Sequence, residues 1–324
     1  MKTIAWGIIG CGNVCEKKSG PAFYKTSGSK LVAVMRRDAR KAAEFADRHQ
    51  IDHYYTDAEE LINDPAINAI YVATPPDTHK TYAIRSLKAG KPVYVEKPMA
   101  LDYASCLEMI EAAKENGQRL FVAYYRRGQP YFNQIKQLLD SGSIGKPLTA
   151  EIRHFKQKRP HDTDPKNWRL IKEMGGNGYF YDLAPHTLDI LDYLLGEVAE
   201  ASGFHNNLSH IYEVADTVGC TLKFKTGVIA SGIWNFTTSA VSEEDTVIIR
   251  GEKGEIQFNT FSYQPIRLLT DSETKVFDIP PPEHVQQPLI ESIVHDLTNG
   301  TNSCPSTGVS AARTSWVIEQ IMGH

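Results

Sequence analysis

The feature that most constrains the fold is a glycine motif that directly follows the first apolar run of the chain. Residues 4–9 read as a buried strand, and Gly10, Cys11 and Gly12 come next, before a stretch with helical character. In this context the first glycine permits a tight turn, and the second lets the backbone approach a pyrophosphate. Free amides at the start of the helix favour the same anion. The motif therefore predicts dinucleotide binding, with a plain turn as the alternative.

The alternation of predicted strands and helices that begins at this motif continues through residue 123. Strands that are apolar on both faces belong to parallel sheets covered by helices on both sides. Asp102 is placed to cap one of the intervening helices. Residues 1–123 are therefore predicted to form an α/β domain with a doubly wound parallel sheet, the Rossmann type. The further buried strands are predicted at residues 31–35, 70–72, 93–95 and 120–122.

After residue 124 the pattern changes. Helical stretches are predicted near 128–140 and 179–195, and several strands with short glycine-containing connections follow them. Such connections join antiparallel neighbours. Residues 124–324 are therefore predicted to form an α+β domain on a mostly antiparallel open sheet, for substrate binding and oligomerisation. The last helices, near 284–298 and 308–321, can pack on either domain.

Charge and composition exclude several classes of protein. The formal net charge of -4 argues against nucleic-acid binding, which normally needs a cationic face. No stretch approaches ~18 uninterrupted apolar residues, and the N-terminus lacks a signal-peptide pattern, so no membrane association is predicted. Five cysteines without a CxxC pair indicate neither a disulfide framework nor a zinc site. A cytoplasmic location is the prediction.

The end of the second predicted strand bears on the choice of cofactor. An NAD-binding domain places an acidic residue here for the ribose hydroxyl, whereas this chain has Arg36 and Arg37 before Asp38. A guanidinium binds a 2′-phosphate bidentately, so NADP(H) is favoured. If the strand ends later, Asp38 becomes the ribose ligand and NAD(H) is also accepted. A solvated helix face is the plainer interpretation of the two arginines.

Lys97 follows the strand predicted at residues 93–95, at the carboxyl edge where open parallel sheets bind ligands. A lysine can exchange a proton near neutral pH when its surroundings disfavour the charged form. This position makes Lys97 a candidate proton donor or acceptor. A surface lysine paired with Glu96 is the alternative.

A second candidate pair follows a glycine-rich approach in the second domain. Asp182 and His186 stand four residues apart and share a face if both are helical, and Pro185 is tolerable in a first turn. A histidine beside a carboxylate can relay a proton or bind a substrate hydroxyl. Alternatively, Asp182 only caps the helix and His186 belongs to the core. No third ligand accompanies them at metal spacing, so no metal site is predicted.

Four motifs in this order resemble the glucose-fructose oxidoreductase / inositol dehydrogenase / MocA (Gfo/Idh/MocA) family. They are GCGNV at 10–14, ATPPDTH at 73–79, EKP at 96–98 and DxxxH at 182–186. The similarity runs nearly from end to end. It implies that Lys97, Asp182 and His186 line a catalytic site, and that the open sheet of the second domain forms a homodimer or homotetramer.

Within that family the chain is most similar to the NADP-dependent 1,5-anhydrofructose reductase and dihydrodiol dehydrogenase-like branch. Cys15 and Ala184 depart from small glycine positions that are common in the family, which puts the local geometry there in question. The resemblance implies a set of cofactor-binding residues: Gly10, Gly12, Asn13, Val14, Arg36, Arg37, Thr74, Pro75, His79, Glu96, Trp168 and Arg169.

The sequence thus predicts an NADP(H)-dependent oxidoreductase that moves a hydride between nicotinamide C4 and a sugar, polyol or diol carbon. Lys97 or His186 transfers the proton, and Asp182 orients the substrate or His186. A non-catalytic NADP(H)-binding sensor or regulator on the same fold is the alternative, since a fold does not fix a function.

Overall fold

The structure is a computed structural model that describes residues 3–164, 166–176 and 178–323. The chain divides into two compact units, Met1–Gln129 with Pro282–Ala312, and Pro130–Pro281 with Arg313–His324. The first unit thus includes the late segment Pro282–Ala312, which contains the first of the two last helices that the sequence allowed to pack on either domain. The physical reason is apolar packing, because Leu289 and its helical neighbours join the core that contains Trp6.

The first unit is built on a six-stranded sheet in the order β3-β2-β1-β4-β5-β6. All its strand pairs are parallel, as the apolar runs predict. The order reverses between β1 and β4, and ligands of such sheets bind outside the carboxyl ends of the strands at this point. The strands are β1 Ile4–Ile9, β2 Ser29–Met35, β3 His53–Tyr55, β4 Ala69–Val72, β5 Val93–Val95 and β6 Leu120–Val122.

The second unit is built on an eight-stranded sheet in the order β14-β13-β12-β11-β7-β10-β9-β8. Its pairs are antiparallel except for β7 with β10, which are parallel, so the predicted mostly antiparallel sheet is confirmed. The strands are β7 Pro147–Gln157, β8 Val198–Asn206, β9 Thr217–Phe224, β10 Ile229–Thr238, β11 Glu244–Gly251, β12 Gly254–Phe258, β13 Ile266–Thr270 and β14 Thr274–Phe277.

Aspartate side chains cap several helices. Asp38, Asp57 and Asp102 each accept a hydrogen bond from a backbone N–H in the first turn of α2, α3 and α5. Within the described ranges, no helix is both long and apolar enough to cross a bilayer. The α-helices are α1 Gly20–Lys25, α2 Ala39–His49, α3 Ala58–Asn63, α4 His79–Lys88, α5 Tyr103–Glu115, α6 Pro130–Asp140, α7 Lys172–Gly175, α8 Tyr179–Leu195, α9 Gln287–Asn299 and α10 Gly308–Met322.

Helix α8 forms the centre of the second unit's core. Phe180 packs edge to face on Trp234 of β10, with ring centroids 5.3 Å apart. The helix begins at Tyr179, so Pro185 lies in its interior rather than in the first turn as predicted. Proline has no N–H, and α8 therefore lacks one internal hydrogen bond just before His186.

Candidate active site

The glycine turn lies against the carboxyl end of β4. Gly10 has φ of +92°, and a Cβ at this position would approach the backbone nitrogen of Thr74 to 2.9 Å. A Cβ at Gly12 would meet nothing closer than the Gly10 carbonyl oxygen at 3.8 Å, and Gly12 does not have a positive φ. Within the described chain, packing requires a glycine at position 10 and leaves open space at position 12. Open space at the second glycine suits the close approach of a dinucleotide.

The helix after this turn starts irregularly. Cys15–Ser19 form a π-helical turn, and a Cβ at Gly20 would collide with the Cys15 carbonyl oxygen. The close contact that requires a glycine at position 20 is therefore a local one, within the start of the helix. Cys15 itself is fully buried, and this burial raises the pKa of its thiol, which keeps it protonated and unreactive.

The end of β2 places one arginine at the glycine turn. Nη1 of Arg36 donates to the Cys11 carbonyl oxygen over 3.3 Å, whereas Arg37 is exposed. Asp38 accepts a hydrogen bond from the backbone N–H of Lys41 at 3.1 Å, and this bond lowers the pKa of its carboxyl group. Asp38 therefore caps α2, and Arg36 is the charged side chain beside the turn.

The loop after β4 is fixed from behind by His79. The ring is fully buried, with Nε2 lying 2.8 Å from the Thr74 carbonyl oxygen and Nδ1 lying 2.9 Å from that of Pro98. Burial lowers the pKa of this imidazole. His79 thus connects the β4 and β5 edges from the inside, while Thr74 and Pro75 remain partly exposed. A direct cofactor contact by the His79 ring does not fit this burial.

Glu96 is the buried acid of the β5 edge. Its Oε1 accepts hydrogen bonds from the Tyr71 hydroxyl and from Nε2 of Gln286, both at 2.6 Å. Its Oε2 accepts the backbone N–H of Lys97 at 3.2 Å. Lys97 is partly exposed and lies two residues after the end of β5, at the strand edge as predicted. Gln286, just before α9, is a residue that sequence reasoning missed, because nothing in its local pattern indicates a partner 190 positions away.

Asp182 and His186 both lie on α8, as their spacing predicts. Gly178 is the N-cap of this helix, so Asp182 does not cap it. Oδ2 of Asp182 instead accepts a hydrogen bond from Nε of Arg169 at 2.8 Å. The Arg169 guanidinium also lies 4.4 Å from the centroid of the Trp168 ring. The structure therefore brings three of the predicted residues together: Asp182, Arg169 and Trp168.

His186 is buried against a loop that the sequence did not single out. Its ring meets Phe261 edge to face, with centroids 5.9 Å apart. Asp245 holds this loop by accepting the backbone N–H groups of Phe261 at 2.7 Å and Ser262 at 2.9 Å. His154, whose Nδ1 lies 3.7 Å from Oδ1 of Asp245, and these backbone bonds together oppose the effect of burial and leave the pKa of Asp245 below its usual value. Phe261 is thereby fixed beside His186.

Family models match both parts of the chain. Residues 4–124 match the oxidoreductase family with the NAD-binding Rossmann fold, and residues 132–257 match the GFO/IDH/MocA C-terminal domain. The chain belongs to the GFO/IDH/MocA family of oxidoreductases. The resemblance inferred from the four motifs is thereby confirmed, together with the fold of both halves.

Similar proteins span nearly the whole length of this family member. Oxidoreductase P35 of Formosa agariphila is 45% identical over 308 residues, which cover 93% of each chain. The 1,5-anhydro-D-fructose reductase of Ensifer adhaerens is 30% identical over 82% of this chain and 79% of its own. The mouse trans-1,2-dihydrobenzene-1,2-diol dehydrogenase is 31% identical over 86% of this chain and 80% of its own.

Solved structures share the fold at lower identity. Levoglucosan dehydrogenase in complex with NADH and levoglucosan has a TM-score of 0.87 and 22% identity, covering 99% of this chain and 96% of its own. The aldose-aldose oxidoreductase of Caulobacter crescentus has a TM-score of 0.87 and 24% identity, covering 99% and 97%. This likeness shows that the oxidoreductase has the family's fold in both halves.

Proposed function

We propose that this family member is an NADP(H)-dependent oxidoreductase that transfers a hydride between nicotinamide C4 and a sugar, polyol or diol carbon. The position of Arg36 carries the choice of cofactor. Its guanidinium lies on the glycine turn, while the neighbouring acid, Asp38, is used as a helix cap. The names of the reductase and diol dehydrogenase relatives support the substrate class.

The first unit offers a fitting site for a dinucleotide. Gly12 leaves room for a pyrophosphate, and Arg36 adds positive charge beside it for a 2′-phosphate. Arg37 is exposed at the same strand end and can add a second guanidinium. His79 supports this site from behind. The first-unit residues proposed to contact the cofactor are Gly10, Gly12, Asn13, Val14, Arg36, Arg37, Thr74, Pro75 and Glu96. Trp168 and Arg169 of the second unit stay cofactor-binding predictions from the family resemblance.

In this reaction the protein has to transfer one proton to or from the substrate. When bound, the nicotinamide supplies or accepts the hydride, and a substrate hydroxyl gains or loses a proton in the same reaction. Lys97 and His186 are the two candidates for this proton transfer. Asp182, which is paired with Arg169, is proposed to orient the substrate or His186.

The cofactor assignment is tested with Arg36→Asp, which places a carboxylate where the 2′-phosphate is expected. We expect the KM for NADPH to rise ~10-fold or more and the KM for NADH to change far less. Arg40→Asp is the matched control, because Arg40 is exposed on α2 and pairs only loosely with Glu44 at 3.7 Å. An unchanged ratio of the two KM values in Arg36→Asp would refute the NADP(H) assignment.

The substrate class is tested by following the absorbance of reduced nicotinamide against a panel of aldoses, keto-sugars, inositols and aromatic dihydrodiols. We expect turnover with at least one member of this panel. Tight NADPH binding without turnover across the panel would favour the sensor or regulator alternative. The cytoplasmic location remains a prediction.

The open face of the second sheet is proposed to join copies of this chain. Phe204 and Ile233 both pair with Gly219 across neighbouring strands, and they are 90% and 51% exposed. Apolar side chains flanking a glycine groove on an exposed sheet face suit a self-complementary contact. We expect a dimer or tetramer in size-exclusion chromatography with light scattering, and Phe204→Glu to shift it to smaller species. Monomers of the unaltered protein would refute this proposal.

A further inference from the structure

The segment that carries Lys97 is held by a buried polar cluster. The Glu96 carboxylate receives the Tyr71 hydroxyl and the Gln286 amide on Oε1, and the backbone N–H of Lys97 on Oε2. Burying a carboxylate is costly unless hydrogen bonds compensate it, and these three bonds provide the compensation. The backbone at Lys97 is therefore attached to an acid whose own position depends on Tyr71 and Gln286.

Gln286 is the part of this cluster that comes from the far end of the chain. It is completely buried, and its Oε1 accepts a hydrogen bond from the Tyr94 hydroxyl at 2.7 Å. This bond fixes the orientation of the amide, because Nε2 then points to Glu96. The backbone N–H of Gln286 also donates to the Lys18 carbonyl oxygen at 3.3 Å, close to the helix after the glycine turn. Gln286 thus has one orientation that satisfies both of its side-chain partners.

We propose that Gln286 is a positioning residue for Lys97. Its amide holds the Glu96 carboxylate, and Glu96 in turn holds the backbone N–H of Lys97 at the end of β5. This inference rests on the proposed proton-transfer role of Lys97. The other side of the same segment is held by His79 through the Pro98 carbonyl oxygen, so loss of Gln286 weakens one of two attachments and leaves the other intact.

Three variants separate this role from a general role in stability. Gln286→Leu removes both side-chain bonds, and Tyr94→Phe removes only the hydroxyl that orients the amide. Gln286→Glu has nearly the same shape, but its carboxyl group can donate to Glu96 only when it is protonated. The matched control is Gln287→Leu, because the Gln287 side chain donates to Glu291 on the exposed side of α9.

We expect Gln286→Leu to lower kcat ~10-fold per folded enzyme while the Kd for NADPH changes less than ~3-fold. In Gln286→Glu, kcat relative to the unaltered protein should rise as the pH falls, because the protonated carboxyl restores the donor. Burial raises the pKa of Tyr71, Tyr94 and Cys15, so these neighbours do not titrate near neutral pH. A role in stability alone would give recovery of the folded fraction at low pH, through loss of the repulsion between the two carboxylates, but no change in kcat per folded enzyme.

A readout that does not depend on activity is the hydrogen exchange of the Lys97 amide, which donates directly to Glu96. Faster exchange in Gln286→Leu, but not in Gln287→Leu, is the expected result. Normal kcat and unchanged exchange in Gln286→Leu would overturn the inference. If that variant does not fold, Tyr94→Phe is judged by the same two measurements.

The inference and the proposed function can fail separately. Near-normal turnover by Lys97→Met would refute the role of Lys97 and with it the consequence of Gln286 for kcat. A severe loss in Lys97→Met with no effect of the Gln286 variants would refute the positioning role alone.

Discussion

Lys97 and Asp182 are held in place by different kinds of contact. The backbone of Lys97 is attached to Glu96 inside a buried cluster of the first unit, and the next residue is attached to His79. Asp182 projects from a helix of the second unit and pairs with the Arg169 side chain, which is 37% exposed. The first arrangement fixes a stretch of main chain, whereas the second fixes one carboxylate.

The difference indicates how each region responds to substitution. A buried hydrogen bond to a charged group leaves a costly unsatisfied partner when one side is removed. A partly exposed ion pair is screened by water and leaves its partner solvated. Substitutions around Lys97 should therefore alter the backbone, and substitutions around Asp182 should mainly alter orientation.

The largest expected effect is that of Lys97→Met, which keeps the length of the side chain and removes the proton. We expect kcat to fall by ~10² or more with NADPH binding largely retained, the scale of one lost general acid or base. Steady-state kinetics and NADPH fluorescence measure the two quantities. Lys88→Met on the exposed end of α4 is the control. Turnover within a factor of ~2 of normal would show that Lys97 does not transfer the proton.

Arg169→Met is expected to have a smaller effect, because Asp182 loses an orienting partner and remains charged. We expect kcat/KM for the substrate to fall ~10-fold and the melting temperature to change little. Arg169→Lys should recover part of the loss, since a lysine keeps the charge but not the planar donor. Lys166→Met is a control on the same exposed segment. A large loss of stability in Arg169→Met would show that this pair supports the fold as well.

A further expected effect concerns the stability of the first unit rather than catalysis. Asp296 of α9 is buried, and its carboxylate accepts the backbone N–H groups of Ser303 and Cys304 at 2.8 and 2.9 Å. The Thr301 hydroxyl, which donates to Oδ1, and these two backbone bonds outweigh the effect of burial and lower the pKa of Asp296 to about 2. A lowered pKa stabilises the folded state above about pH 4, and this contribution is lost as the pH falls through about 2.

Asp296→Asn should therefore lower the free energy of unfolding by about 2 kcal/mol at pH 7, as measured in urea. The difference from the unaltered protein should shrink as the pH is lowered below about 4. Exposed Asp271→Asn is the control. A difference that stays constant from pH 7 to pH 3 would show that ionisation of Asp296 is not its source.

Much of the first unit could be predicted because its information is local. The apolar runs define β1, β4 and β5, and Asp102 caps α5 through its own first turn. In the second unit, the bounds of α8 are likewise local, because glycines stand at both ends, Gly178 and Gly196. β3 was not predicted, because His53–Tyr55 is largely exposed and lacks the apolar pattern of a buried strand.

The positions of site residues that directly follow strands could be predicted from the sequence. Contacts between residues far apart in the chain could not. The ends of β2 and β5 place Arg36 and Lys97. The hydrogen bond from Gln286 to Glu96, in contrast, depends on a segment 190 positions away. A small residue was expected at position 15, and the π-helical turn that begins at Cys15 was not predicted. Neither effect leaves a periodic signal in the sequence.

The return of residues 282–312 to the first unit also governs how the protein can be made and divided. The first 129 residues are synthesised long before Gln286 and the apolar face of α9. The core around Trp6 and the hydrogen bond from Gln286 to Glu96 can therefore be completed only near the end of synthesis. A fragment that ends at Gln129 would keep the glycine turn and lose α9, whose apolar side chains complete the core of the first unit. Any attempt to graft the cofactor domain elsewhere therefore has to carry two separate stretches of chain.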